Sequence, residues 1–173
     1  YMYIQNDLES IGDVIDKNIM VLVKKKIAQN LVFSEEGFHE LEHLLKTLDR
    51  NFSRLLEALE NTDYELAANL KDSYNEKEEE KYKKLHMERL SSGQEQSIAT
   101  SSVHLDLISY FTQINAHISY IAGRLLWLQS KKMKLKMKKK EQERKKAGER
   151  EAARAKTREK EKNKQKEKSG KAR

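Results

Sequence analysis

The chain has no proline and no cysteine in 173 residues, only six glycines, and a single tryptophan. Without proline, nothing removes a backbone N–H from a helix interior or clashes with the preceding turn, so helix ends have to be written by glycine and by polar turns. Without cysteine, disulfide frameworks and thiolate metal sites are excluded, which fits a reducing compartment and leaves any metal to oxygen and nitrogen ligands. Long apolar runs are missing too. The longest, Ile19 to Val23, is far below the roughly 20 residues of a membrane span, and no signal-peptide pattern is present.

What the chain does have is charge, unevenly placed. The formal net charge is +7, yet residues 1–130 carry 14 Lys and Arg against 21 Asp and Glu, a net of −7. Residues 131–173 carry 21 against 7, a net of +14. An acidic body is thus followed by a strongly basic, low-complexity tail that has almost no large apolar residue after Met137. The tail cannot bury enough surface to offset its ordering entropy, and it is expected to be disordered or a single solvated helix. The sequence starts with Tyr1, and its apolar pattern is already under way at Ile4, so it reads as the downstream part of something longer.

Periodicity in the body is helical throughout. At about 100° per residue, Ile4, Leu8, Ile11, Ile15, Ile19 and Leu22 form one stripe, while Asn6, Glu9, Asp13 and Asp16 gather on the opposite face. This predicts a first helix over 1–30. Ser34 followed by Glu35 and Glu36 reads as an N-cap. The helix it opens has Phe38, Leu41, Leu45, Leu48, Phe52, Leu55 and Leu59 at alternating spacings of three and four, a seam that calls for partner helices at a shallow angle. Asp63 caps a third helix, expected over 64–90, whose stripe of Leu66, Ala67, Leu70, Tyr74 and Leu85 is interrupted by the charged run 75–81. Ser91-Ser92-Gly93 turns the chain into a fourth helix over about 95–128.

An offset of 103 residues lays Ile4, Leu8, Ile11, Ile15 and Leu22 over Leu107, Phe111, Ile114, Ile118 and Leu125, so the first helix recurs as the fourth. The polar positions do not recur, since Glu9 falls on Thr112 and Asp13 on Ala116. The fold class that follows is all-α, an up-down helical bundle over 1–130 with the tail at 131–173. Leu8, Ile11, Ile15, Leu45, Leu48, Phe52, Leu55, Phe111, Ile114 and Ile118 are its expected shared core.

The run Asn6-Asp7-Leu8-Glu9-Ser10-Ile11-Gly12-Asp13 resembles the signature of the PhoU-like domain, departing where that family usually has Arg. His86-Met87-Glu88-Arg89-Leu90-Ser91-Ser92-Gly93, followed by His104-Leu105-Asp106-Leu107-Ile108, is similar to the version at the cytoplasmic C-terminal end of bacterial sodium/phosphate cotransporters. The resemblance covers roughly residues 1–128. It implies a partial PhoU-like fold, with the last helix of a first repeat at 1–30 and a second three-helix repeat at 34–128. It further implies a non-catalytic regulatory role at the cytoplasmic face of the bacterial inner membrane, partnered by a transmembrane phosphate-transport domain and compatible with a homo-oligomer. In that family paired acids help bind metal clusters, so Glu9 and Asp13 are the positions onto which a ligand role for iron, manganese or zinc would carry. Asp72 and Glu76 are weaker candidates. A solvated carboxylate pair is the alternative.

Two other motifs compete. His39-Glu40-Leu41-Glu42-His43 matches the zinc hydrolase pattern H-E-x-x-H, but all three residues are expected opposite the seam, no third ligand follows, and no strand pattern supports a protease fold. Two E-x-x-H occurrences on this same helix do not make a ferritin-like site, which draws ligands from several helices. His104 and Asp106 stand near the second stripe as polar groups expected to be exposed or cap-related, and Trp127 is read as a core or interface anchor. In the tail, Lys131, Lys132, Lys134, Lys136, Lys138, Lys139 and Lys140 could hold anionic lipid or, less favourably, nucleic acid by charge alone, because no stacking series accompanies them.

Overall fold

The computed structural model describes residues 2–73 and 76–170, with side chains described over 2–73 and 77–150. Among these residues there are helices and no strands. The order is α1 (Met2–Asp13), a π-helical segment (Val14–Ile19), α2 (Met20–Ala28), α3 (Glu35–Asn61), α4 (Tyr64–Lys71), α5 (Glu76–Ser91) and α6 (Glu95–Gly170). Residues 1–128 form one compact unit, and 129–173 form another in which Lys131 to Arg150 are exposed along the helix.

Helix α1, the π segment and α2 make one continuous rod, because the joining residues Asp13, Ile19 and Met20 all keep right-handed helical dihedrals. Ser34 caps α3 as its side chain accepts from Gly37 N at 3.2 Å. Asp63 caps α4 by accepting from Glu65 N and Leu66 N. Thr62, with φ at +54°, supplies the left-handed residue between them.

The third helix expected over 64–90 is two helices. The first ends at Lys71, and the carbonyls its end frees are met from α6: Asn115 Nδ2 donates to Ser73 O at 3.1 Å, and Ser119 Oγ donates to Lys71 O. Asn115 also accepts from Asn51 Nδ2 at 2.9 Å. A chain break rich in Asp and Ser is stable here because polar groups on neighbouring helices replace the lost ladder.

Cross-helix contacts set the directions. On α3 and α6, Gly37 meets His104 and Asn51 meets Asn115, so these two run parallel. Helix α5 runs against both, with Arg89 at Glu40, Tyr82 at His43, and His86 at Ser101. The α1–α2 rod is antiparallel to α6, with Asp7 at His117 and Lys25 at Ser102. The result is an up-down bundle. Its core has two parts, one around Ile11, Val14, Leu55, Ala58, Ala67, Leu70, Ile114, Ile118, Ile121 and Leu125, the other around Leu41, Leu44, Tyr82, Val103, Leu107, Ile108 and Phe111.

The internal repeat gains a geometric meaning here. Its two copies lie antiparallel, and the pair equivalent to Asp7 and His117 under the offset of 103, Val14 and Tyr110, falls within one hydrophobic cluster.

Of the expected core, Ile11, Leu55, Phe111, Ile114 and Ile118 are buried, and Leu48 and Phe52 are half-buried. Leu8, Ile15 and Leu45 are not buried, at 37%, 44% and 51% exposed. For α3 the reason is rotation. The face turned inward is Gly37, Glu40, Leu41, Leu44, Asn51, Leu55 and Ala58, about one residue round from the Phe38–Leu45–Phe52 line. For the rod the reason is again rotation, set before the π segment begins: the buried positions are Asp7, Ile11 and Val14, so the inward face lies about one residue back from the Leu8–Ile15 line.

Candidate functional site

Glu40 was expected on the outer face with His39 and His43, and the structure places it inside. Its carboxylate takes two parallel bonds from Arg89, Nη1 to Oε1 and Nη2 to Oε2, both at 2.7 Å, and His104 Nε2 stands 3.4 Å from Oε2. Burial pushes the carboxyl pKa up, but the hydrogen bonds from His104 and Arg89 together with the Arg89 charge outweigh it and hold the pKa below the usual range. Because the Gly37 carbonyl can only accept, the 3.1 Å contact with His104 Nε2 assigns the proton of a neutral ring to that nitrogen. Gly37 gives this approach its room. A Cβ there would sit 3.3 Å from the His104 ring and 3.1 Å from Ser34 Oγ.

His104 is 1% exposed, which corrects its expected surface position, and it stacks on His86 at 4.6 Å between centroids. His86, also 1% exposed, bonds Ser101 Oγ at 2.9 Å through Nε2. Burial, chiefly, and then the neighbouring His104 and Arg89 push its pKa down to about 4. The Nδ1 atoms of both rings and Arg89 Nε find no partner among the described residues. The cluster joins α3, α5 and α6 at one end of the bundle, and Ser97 extends it by donating to Ser34 Oγ at 3.1 Å.

This arrangement dismantles the H-E-x-x-H pattern. Glu40 is committed to Arg89, His39 lies at the surface near Glu35 and Glu42, and His43 Nδ1 is 3.0 Å from Tyr82 OH. Three side chains that must converge on one metal point to different partners.

A second polar cluster joins the rod to α6. Asp7, 7% exposed, has Oδ1 3.2 Å from His117 Nδ1 and Oδ2 2.9 Å from Arg124 Nε. The Arg124 approach is an ion pair without hydrogen-bond alignment, so Oδ2 is left without a donor. Arg124 in turn stacks on the Tyr3 ring at 4.8 Å. Glu9 and Asp13, the acidic pair drawn from the resemblance, are exposed, and Asp13 pairs with Lys17 at 2.8 Å. Asp72 is exposed at the end of α4, and the side chain of Glu76 lies outside the described residues. Among the described residues no group of three or more His, Asp or Glu is arranged to hold a metal. The tail lysines Lys131, Lys132, Lys134, Lys136, Lys138, Lys139 and Lys140 are all exposed.

Between the rod and α3 the bundle is open. A groove of about 290 Å³ is lined almost wholly by apolar side chains, including Ile11, Ile15, Leu45, Leu48, Phe52 and Phe111. All six were expected to meet in a closed core, and they instead flank an unfilled space.

The chain is 30% identical over 122 residues to YjbB of Salmonella typhimurium, provisionally named an inorganic phosphate export protein. It is 27% identical over the same length to the identically named YjbB of Escherichia coli K12. The similarity leads to phosphate export proteins. In each case the match covers 69% of this chain and 22% of the relative, so the chain spans about a fifth of the length of the curated relatives it matches. No family model matches, and no solved structure matches. Among the described residues no helix is long and apolar enough to cross a membrane.

Sequence reasoning missed Asp7, Glu40, His86 and Arg89 as partners in buried clusters. The signal was present for two of them. Asp7 is one turn from Ile11 and close to the apolar stripe, and Glu40 precedes Leu41 and lies one turn from Leu44, both inside. Neither could be assigned without knowing that a cation waited opposite.

Proposed function

We propose that the chain is a non-catalytic regulatory module of a phosphate transport system, a partial PhoU-like domain working at the cytoplasmic face of a bacterial inner membrane. The observation that carries this reading is the open apolar groove between the α1–α2 rod and α3. A bundle that leaves Ile15 and Leu45 about half exposed over a space of that size can bury further apolar area, and an amphipathic helix is the element whose stripe matches such a groove. Since the relatives are several times longer than the matched segment, the occupant proposed is a helix of the transport system's own polypeptide. Seating or release of that helix would then bias the conformation of the transport domain.

Charged substitutions in the groove test this. In the full-length parent, Ile15→Asp with Leu45→Asp should change the rate of radiolabelled phosphate movement across the membrane at least about threefold, because burying either carboxylate would cost several kcal/mol. Since both positions are about half exposed, the isolated bundle should keep its helical content. Unchanged transport in a stably expressed double variant would remove the groove from the mechanism.

Metal binding by Glu9 and Asp13 is a separate part of the proposal, supported by the family resemblance and by their spacing of one turn on an exposed face. One helix offers too few ligands for a closed site, so the expected affinity of this chain alone is weak, rising when upstream helices are restored. Calorimetric titration of iron, manganese and zinc into the extended protein should lose binding on Glu9→Gln with Asp13→Asn. Equal binding by the two forms would leave this pair as a solvated surface.

A further inference from the structure

On the side of the bundle formed by α4 and α6, Lys71, Ser119, Tyr120, Gly123, Arg124 and Trp127 line an open pocket of about 470 Å³. That volume lies within the range of small-molecule sites. Tyr120 and Trp127 are 55% and 53% exposed, so each presents ring surface to whatever enters. They stand seven residues apart on α6, two turns along one face, with Gly123 and Arg124 between them.

Gly123 is the telling residue. It sits inside a helix without a positive φ, where glycine is a poor helix former and no backbone strain calls for it. Nor does packing call for it, because a Cβ would meet only Lys71 Cγ, at an ordinary 3.8 Å. What its missing side chain does is hold the space between the two rings open.

The charges around that space are positive. Lys71 is exposed, and no ion-pair partner is found for it among the described residues. Arg124 turns Nε to Asp7, which leaves the terminal nitrogens of its fork for a second anion. The Asp7 carboxylate offsets one of the two cations, so a surplus of one positive charge remains for a ligand.

We propose that this pocket binds a nucleotide, the phosphate held by Lys71 and Arg124 and the base lying against Trp127 or Tyr120 across the gap at Gly123. Inorganic phosphate would use the two cations and leave the aromatic walls bare. A planar ring carrying a phosphate uses both, since Trp and Tyr offer π-faces for stacking and Arg and Lys pair with phosphate oxygens.

Trp127 is the only tryptophan in the chain, so its emission reports directly on the pocket. Titrating adenosine monophosphate into the full chain should quench that emission saturably. Lys71→Gln should weaken binding about tenfold, the equivalent of one charge-assisted hydrogen bond. Gly123→Leu, which fills the gap with a better helix former, should abolish it while circular dichroism stays unchanged. Both variants keep the basic tail intact, so quenching that survives equally in both would come from the tail and would overturn the proposal. Emission that responds to phosphatidylglycerol vesicles or to inorganic phosphate, but not to the nucleotide, would overturn it as well.

Discussion

Arg89→Ala is expected to destabilise the bundle by about 3 to 5 kcal/mol, the cost of leaving a buried carboxylate without its counter-charge. Arg89 and Glu40 have side chains only 13% and 10% exposed and are joined by two bonds of 2.7 Å. Removing the guanidinium leaves Glu40 facing His104 alone, and the protein must either keep a poorly solvated charge or protonate it. The pair itself need not be strongly favourable, since its desolvation offsets much of its attraction. A double replacement, Glu40→Met with Arg89→Met, should therefore recover most of the loss. Urea denaturation followed by circular dichroism measures both. A single variant as stable as the parent, or a double variant no better than the single, would show that the pair is solvated or loosely held.

Acid should weaken the fold in a defined window. His86 is held neutral, with its pKa pushed down to about 4 from an ordinary value near 6.5. Above pH 6.5 both folded and unfolded chains carry it neutral, so it contributes nothing. As the pH falls from 6.5 toward 4 the unfolded state takes up a proton that the native state refuses, and about 3 kcal/mol of stability is lost across that range. Glu40 acts in the same direction lower down. Its depressed pKa supplies stability above the ordinary carboxylate value, and that is lost as the pH falls through the folded value. His86→Gln, which can keep a bond to Ser101, should flatten the upper part of the profile. Parallel stability curves for parent and variant between pH 7 and 4 would show that His86 is not the group responsible.

Much of the bundle is legible in the sequence because its signals are local. Ser34 and Asp63 cap helices where their side chains predict, and the stripe of Leu107, Phe111, Ile114, Ile118 and Leu125 is buried along α6. Local signals fail where the answer depends on what lies opposite. The line Phe38–Leu45–Phe52 and the line Gly37–Leu41–Leu44 are adjacent on one helix, and only the neighbours decide which turns inward. Trp127, read as an anchor, is half exposed beside Arg124 and Gly123. The break after Lys71 is invisible without Asn115 and Ser119, since a charged helical run can continue through Asp and Ser when no side chain from another helix takes up the freed carbonyls.

The π segment at Val14–Ile19 makes the first rod sensitive to counting rather than to chemistry. It carries one residue more than an α-helix would place in the same rise, so removing any single residue between 14 and 19 would let the rod close into a plain α-helix. The parts on either side would keep their faces, because the residue lost is the one the wide turn takes up. A residue added there has no second wide turn to take it up, and it would turn the part upstream by about 100° relative to the part downstream, swinging Asp7 out from between His117 and Arg124. Substitutions at Asp16 and Lys17, which are exposed, should be absorbed with little effect. An added residue acts as a change of phase, so an upper limit on the spacing between Asp7 and α2 is itself part of what the sequence has to keep.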